Sequence, residues 1–175
     1  MYKMISCLIL LFAVVLIISS CTCSYCEKLE YRDTQTTIES DVQKLAQELA
    51  QLSDIQQEDI LNTLRTVLTE NSRIIGSAYA TAPYDDKEEL IEMWYAYREG
   101  NEIKTLERDA YDLSNTENNN WYKKPYLNKK AMWSIPYYYT AESGEIYYIT
   151  TYSYPVLENG EVHFILTADY LLSTK

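Results

Sequence analysis

The chain has 175 residues, of which 47% are hydrophobic and 23% charged. That suffices for one globular domain with its own core and is too little for two large ones. The formal net charge of -11 argues against nucleic acid as a partner, because phosphates would be repelled.

The N-terminus reads as an address. Lys3 precedes an almost unbroken apolar run from Met4 to Ile18, which ends in Ile18-Ser19-Ser20-Cys21. A positive start, an apolar stretch and small residues before a cleavage point make a secretory signal peptide. The run is shorter than the roughly 20 residues of a membrane span, which favours export over the alternative of an uncleaved anchor. Cys7, Cys21, Cys23 and Cys26 are the only cysteines, so no disulfide framework is expected in the globular part. Cys23-Ser24-Tyr25-Cys26 has C-x-x-C spacing, but His163 is the only histidine, and a metal site of this kind would want two more ligands.

Residues 21–35 read as a polar tether. Thr36-Thr37-Ile38-Glu39 fits a capping box, and Ile38, Val42, Leu45, Leu49 and Leu52 then mark one apolar helix face. Ser53-Asp54 either breaks that helix or caps a second, whose face is Ile60, Leu61, Leu64, Val67 and Leu68. After Asn71 the pattern turns to strands: 73–80, then 93–97, the turn Glu99-Gly100-Asn101, and a return over 103–106. A polar loop is expected over 112–120. Residues 121–136 contain Pro125 and Pro136 and read as irregular or short helical turns. A long strand over 145–154 and a strand over 161–170 flank Asn159-Gly160, the strongest hairpin signal in the chain. Helices first and antiparallel strands after predict an α+β fold with helices on one sheet face.

No catalytic constellation emerges. A Ser-His-Asp arrangement would rest on His163 alone, and alternation puts His163 with Ile165, Thr167 and Asp169, opposite Phe164, Leu166 and Ala168. There is no phosphate-cradling glycine loop. Acidic groups at Asp85-Asp86, Glu88-Glu89 and Glu107 to Asp109 read as solvated faces. The 18 tyrosines, against 2 phenylalanines, suit both half-buried strands and ligand pockets, since each ring is apolar and each tip polar.

Two resemblances sharpen these expectations. Ile18-Ser19-Ser20-Cys21 resembles the lipobox of bacterial lipoproteins, which implies lipidation at Cys21 and a membrane surface as a partner. Ile74 to Ala80, Trp121-Tyr122-Lys123-Lys124-Pro125, Trp133-Ser134-Ile135-Pro136-Tyr137-Tyr138, Thr151 to Val156 and Thr167-Ala168-Asp169 together resemble the Cache family, whose modules are extracellular and PAS-like. The resemblance implies a single sensor module over 36–175 after a signal peptide (1–20) and tether (21–35). Members of the family commonly carry two stacked modules, a second transmembrane helix and a cytoplasmic output domain; here one module with no output domain is expected. The residues themselves, beside the resemblance, lead to an expectation of no cofactor, no metal and no enzymatic activity.

The ligand-binding residues expected from it are Trp121, Tyr122, Trp133, Tyr138, Tyr152 and Asp169. In amino-acid-binding members an Arg two positions before the W-Y pair grips the ligand carboxylate, and here that position is Asn119. Asp169 corresponds to the Asp that holds the ligand ammonium. An amine or a neutral polar ligand is therefore favoured over a free α-amino acid, with a signalling partner protein implied alongside. The alternative is a structural or protein-binding envelope lipoprotein, in which Trp121 and Trp133 belong to the core and Asp169 caps a turn.

Overall fold

The computed structural model describes residues 30–83, 90–113, 120–141 and 143–174. The apolar run, Cys21 and the other cysteines lie outside the described residues, as do Asp85, Asp86, Glu88, Glu89 and Asn119. Residues 38–175 form one compact unit, which carries the whole sheet.

Residues 30–50 are helical (α1). The expected cap at Thr36 is not one: Thr36 and Thr37 donate their hydroxyls to the carbonyls of Arg32 and Asp33, four residues back. A hydroxyl spent in this way lies inside a helix, not at its start. Ile38, Val42, Ala46 and Leu49 make the buried stripe. Leu52 falls beyond the helix end and is 44% exposed. Ser53-Asp54 breaks the helix, and the second helix, α2 (Gln57–Glu70), starts after Gln56. There Asp59 Oδ2 accepts the Gln56 backbone N–H at 3.0 Å, the reciprocal half of a capping box. Ile60, Leu64, Val67 and Leu68 are its buried face.

The strands follow as β1 (Ile74–Thr81), β2 (Leu90–Glu99) and β3 (Glu102–Asp112). Then come α3 (Asn120–Asn128), β4 (Met132–Trp133) and β5 (Tyr137–Thr140). A long hairpin of β6 (Ile146–Glu158) and β7 (Glu161–Thr174) closes the fold. The seven strands form one sheet in the order β3-β2-β1-β7-β6-β4, with β5 also paired to β6, and the pairings are antiparallel. Two turns show why the hairpins form where they do. Asn159 and Gly160 both take positive φ, 52° and 85°, the twist-matching turn that Asn-Gly favours. Gly100 takes φ 58° between β2 and β3. Strand β3 runs further than the sequence pattern indicated, to Asp112, and α3 is a real helix despite Pro125 within it.

The two faces of the sheet are covered differently. On one face lie α1 and α2. Trp133 Nε1 donates to Glu39 Oε1 of α1 at 2.6 Å, and Arg98 donates to the Leu68 carbonyl of α2 at 2.6 Å. Tyr79 stacks on Phe164 on that face, with ring centres 4.6 Å apart. On the other face, Ala78, Ala80, Met93, Tyr95 and Ile165 pack with Leu113 and with Tyr122 of α3. α3 therefore covers the side that the N-terminal helices leave open.

Candidate functional site

The α3 face of the sheet holds a polar network on four strands. Asp169 of β7 is 7% exposed. Its Oδ2 accepts the Tyr95 hydroxyl at 2.9 Å, and its Oδ1 accepts the Thr151 hydroxyl at 2.6 Å. Tyr137 lies 2.8 Å from Thr151 Oγ1. Since Thr151 gives its one proton to the carboxylate, Tyr137 is the donor in that contact. The chain Tyr137–Thr151–Asp169–Tyr95 thus runs from β5 across β6 and β7 to β2.

Strand alternation sets this up. Register pairs Thr151 with Asp169 and Gly76 with Asp169, and directly paired residues share a face. Gly76 is needed where the network crosses β1. A Cβ built there would lie 2.0 Å from the Tyr95 hydroxyl oxygen and 2.7 Å from Asp169 Oδ2. Ser134 brings β5 into place: its backbone N–H donates to the Thr151 carbonyl at 2.8 Å, and its hydroxyl accepts the Thr151 N–H at 3.0 Å.

The electrostatics are those of a carboxylate short of countercharge. Burial raises the Asp169 pKa above 3.8, and the hydrogen bonds from Thr151 and Tyr95 only oppose that shift. Burial, followed by the Asp169 charge, raises Tyr95 well above its ordinary value. Among the described residues no Lys or Arg forms an ion pair with Asp169. Ser153 lies two residues along β6 from Thr151 and opposite Thr167, on the same face. Its hydroxyl is buried and has no hydrogen-bond partner among the described residues. Aromatic rings surround the network. Tyr139 meets Tyr95 edge-on at 6.5 Å, Tyr97 stacks on Tyr95 at 6.0 Å, and Tyr122 stacks on Tyr126 at 5.6 Å.

Of the six ligand-binding residues expected from sequence, the structure brings three to this face. Asp169 is at its centre, while Tyr122 and Trp121 belong to the apolar cluster that includes Tyr95. The other three point the opposite way. Trp133 and Tyr152 pack together at 5.3 Å on the α1 side, where Trp133 bonds Glu39. Tyr138 is 58% exposed and pairs with Tyr148, whereas its neighbours Tyr137 and Tyr139 face the network. The reason is period-two alternation: in each Tyr-rich run every second ring is turned away. The same rule applied to Asp169 and its pairing would have singled out Thr151, Tyr137 and Tyr139. Tyr95 could not be found that way, since its position depends on the β1–β2 register.

His163 also departs from expectation. The register between β6 and β7 slips where Leu157 pairs with Val162 and Val156 with Phe164. His163 is the extra residue of this bulge. Val162 therefore joins the α3-side cluster in its place, and His163 lines a cleft with Tyr79 on the helix face. Glu107 accepts a hydrogen bond from Gln57 of α2. Among the described residues, no group of three His, Cys, Asp or Glu is placed to hold a metal. No described helix is long and apolar enough to cross a membrane.

Comparison with known proteins follows the fold. A sequence model of the family described as methyl-accepting chemotaxis protein-like, first PDC sensor domain, matches residues 60–174. No curated protein sequence matches the chain. Among solved structures, the extracellular domain of soHK1S-Z6, named as a histidine kinase, is 22% identical with a TM-score of 0.64; the alignment covers 79% of this chain and 54% of that one. The ligand-binding domain of the Campylobacter jejuni chemoreceptor Tlp3, in complex with L-valine, is 18% identical with a TM-score of 0.57, over 80% of this chain and 53% of that one. At these identities the likeness establishes the fold. The chain spans about half the length of these structures.

Proposed function

We propose, because this chain belongs to the family of methyl-accepting chemotaxis protein-like first PDC sensor domains, that it senses a small extracytoplasmic molecule on the Asp169 face of its sheet. The observation that carries the reading is a buried carboxylate with two neutral donors and no countercharge among the described residues. Such a group is costly to hold. A cationic or strongly donating ligand would relieve that cost directly. The unpartnered Ser153 hydroxyl offers a further polar contact. Trp121 and Tyr122 supply apolar wall, and Tyr95, Tyr137 and Thr151 hold the carboxylate in place. An amine or a neutral polar molecule suits this set. The role is binding, not catalysis, and the signal passes to a partner protein.

The test is a thermal-shift screen of the chain against amines, neutral polar molecules, carboxylates and amino acids, followed by calorimetry. A ligand that binds only the native state raises the melting temperature. Asp169→Asn should weaken a cationic ligand by about 1.5–3 kcal/mol, the worth of a hydrogen bond to a charged group. Equal affinity in wild type and variant would sink the site.

The same reading extends to the N-terminus. Residues 1–20 act as a lipoprotein signal peptide, Cys21 carries the lipid, 21–35 tether the module and 36–175 form the sensor. The support is the lipobox spacing in Ile18-Ser19-Ser20-Cys21. Cys21→Ser should abolish acyl labelling and leave an unprocessed precursor; unchanged labelling would remove the anchor from this account.

A further inference from the structure

A second concavity lies on the other face, remote from the Asp169 network. It is a cleft of about 450 Å³ between the α1–α2 connection and the β6–β7 hairpin, and Leu52, Asp54, Tyr79, Leu157, Glu158 and His163 line it. Three independent features converge here. The β-bulge described above turns His163 out of the α3-side pattern and into this cleft, and bulges recur where a side chain is re-aimed for use. Tyr79 forms the floor. It is only 5% exposed, clamped between Phe164 at 4.6 Å and Trp94 at 5.6 Å, yet its hydroxyl has no hydrogen-bond partner among the described residues. Two carboxylates, Asp54 and Glu158, stand at the rim, with the carboxyl end of α1 beside them at Ala50, where helix carbonyls add partial negative charge.

We infer that this cleft is a second binding site, for a small organic cation with a short hydrocarbon segment. The sign of charge follows from Asp54, Glu158 and the helix end when His163, whose Nδ1 lies 3.8 Å from Glu158 Oε2, is neutral. The hydrocarbon follows from Leu52 and Leu157, which are 44% and 46% exposed at the rim. A bare metal ion fits poorly, because no three ligating side chains gather among the described residues and the space exceeds what one ion fills. The Tyr79 hydroxyl accepts a hydrogen bond from the ligand ammonium at the bottom. Its pKa is pushed up to about 12 by burial and by Glu92, so it meets the cation as a neutral phenol.

The test is calorimetric titration of the full chain with 1,4-diaminobutane at fixed ionic strength, in an Asp169→Asn background that disables the first site. Binding should persist there. Adding Asp54→Asn and Glu158→Gln, both at exposed positions, should lower affinity at least tenfold while leaving the melting temperature of the unliganded chain within a few degrees. Tyr79→Phe, which keeps the stacked ring, should lower it several-fold. The site is overturned if the Asp169→Asn chain binds no diamine, if the added substitutions leave affinity unchanged, or if Tyr79→Phe binds as tightly. Equal displacement by magnesium would also overturn it, by reducing the effect to diffuse attraction of an acidic chain. Identical amine binding by the wild-type and Asp169→Asn chains, with the Asp54, Glu158 and Tyr79 effects retained, would count against the first site alone.

Discussion

The two faces of the sheet solve opposite problems. Away from the His163 cleft, the α1–α2 face is closed by aliphatic and aromatic contacts: Leu64 and Leu68 from α2, and Phe164, Leu166, Ala168 and Tyr170 from β7, are all nearly inaccessible. Apolar burial of this kind provides most of the stability of a domain. The α3 face keeps a carboxylate and a row of hydroxyls out of water, and burying such groups opposes folding unless each is bonded. The buried part of the first face is mainly apolar, whereas the second, beside its own apolar cluster, carries polar groups retained at a cost to the fold. Proteins commonly give up stability in this way where they bind.

The comparison can be broken from either side. The largest effect is expected at Leu64, which is 0% exposed. Leu64→Ala should cost about 2–5 kcal/mol in chemical denaturation, the usual range for a truncated core leucine, without altering ligand selectivity. A loss under about 1 kcal/mol would mean that the helix face is not the main source of stability. Gly76→Ala comes next. The new methyl would collide with the Tyr95 hydroxyl and Asp169, so the network must open. Overpacking of this kind costs about 1–3 kcal/mol, and here it should also abolish the thermal shift produced by a ligand of the first site. Retained ligand response would show that the Tyr95–Asp169 contact is incidental.

The smallest effect is in pH dependence. The folded-state pKa of Asp169 is raised, so the folded chain holds that proton more tightly than the unfolded one. Stability from this group is full below the ordinary value of 3.8. It falls as pH rises from there through the raised value, by at most about 1.4 kcal/mol per pH unit for one proton. Asp169→Asn should flatten that slope and raise the melting temperature of the unliganded chain above the window. A variant less stable than wild type at neutral pH would place Asp169 among the stabilising contacts and erase the contrast between the faces.

Much of this was legible in the residues. The order of elements, the Asn159-Gly160 hairpin and the second helix face all rest on signals a few residues long, and each survives in the structure. The misreadings share a cause. Thr36 looked like a cap because its hydroxyl has the right spacing to Glu39; that it bonds backward instead depends on where the helix begins upstream. Trp133, Tyr138 and Tyr152 were grouped with Trp121 because all are aromatic, although alternation around Thr151 sends them to the other side.

By itself, then, the sequence determined what acts locally: helix faces from spacing, turns from Asn and Gly, and strands from Tyr, Ile and Thr. Tertiary structure decided which side chains meet. Tyr95 reaches Asp169 from 74 positions away in the chain because β1, lying between β2 and β7, presents Gly76 at the crossing point. His163 leaves the Asp169 side because one register slip in the last hairpin turns it over. Both are consequences of strand pairing, and since side chains alternate with period two, a single residue of slip reverses a face that no local pattern can reveal.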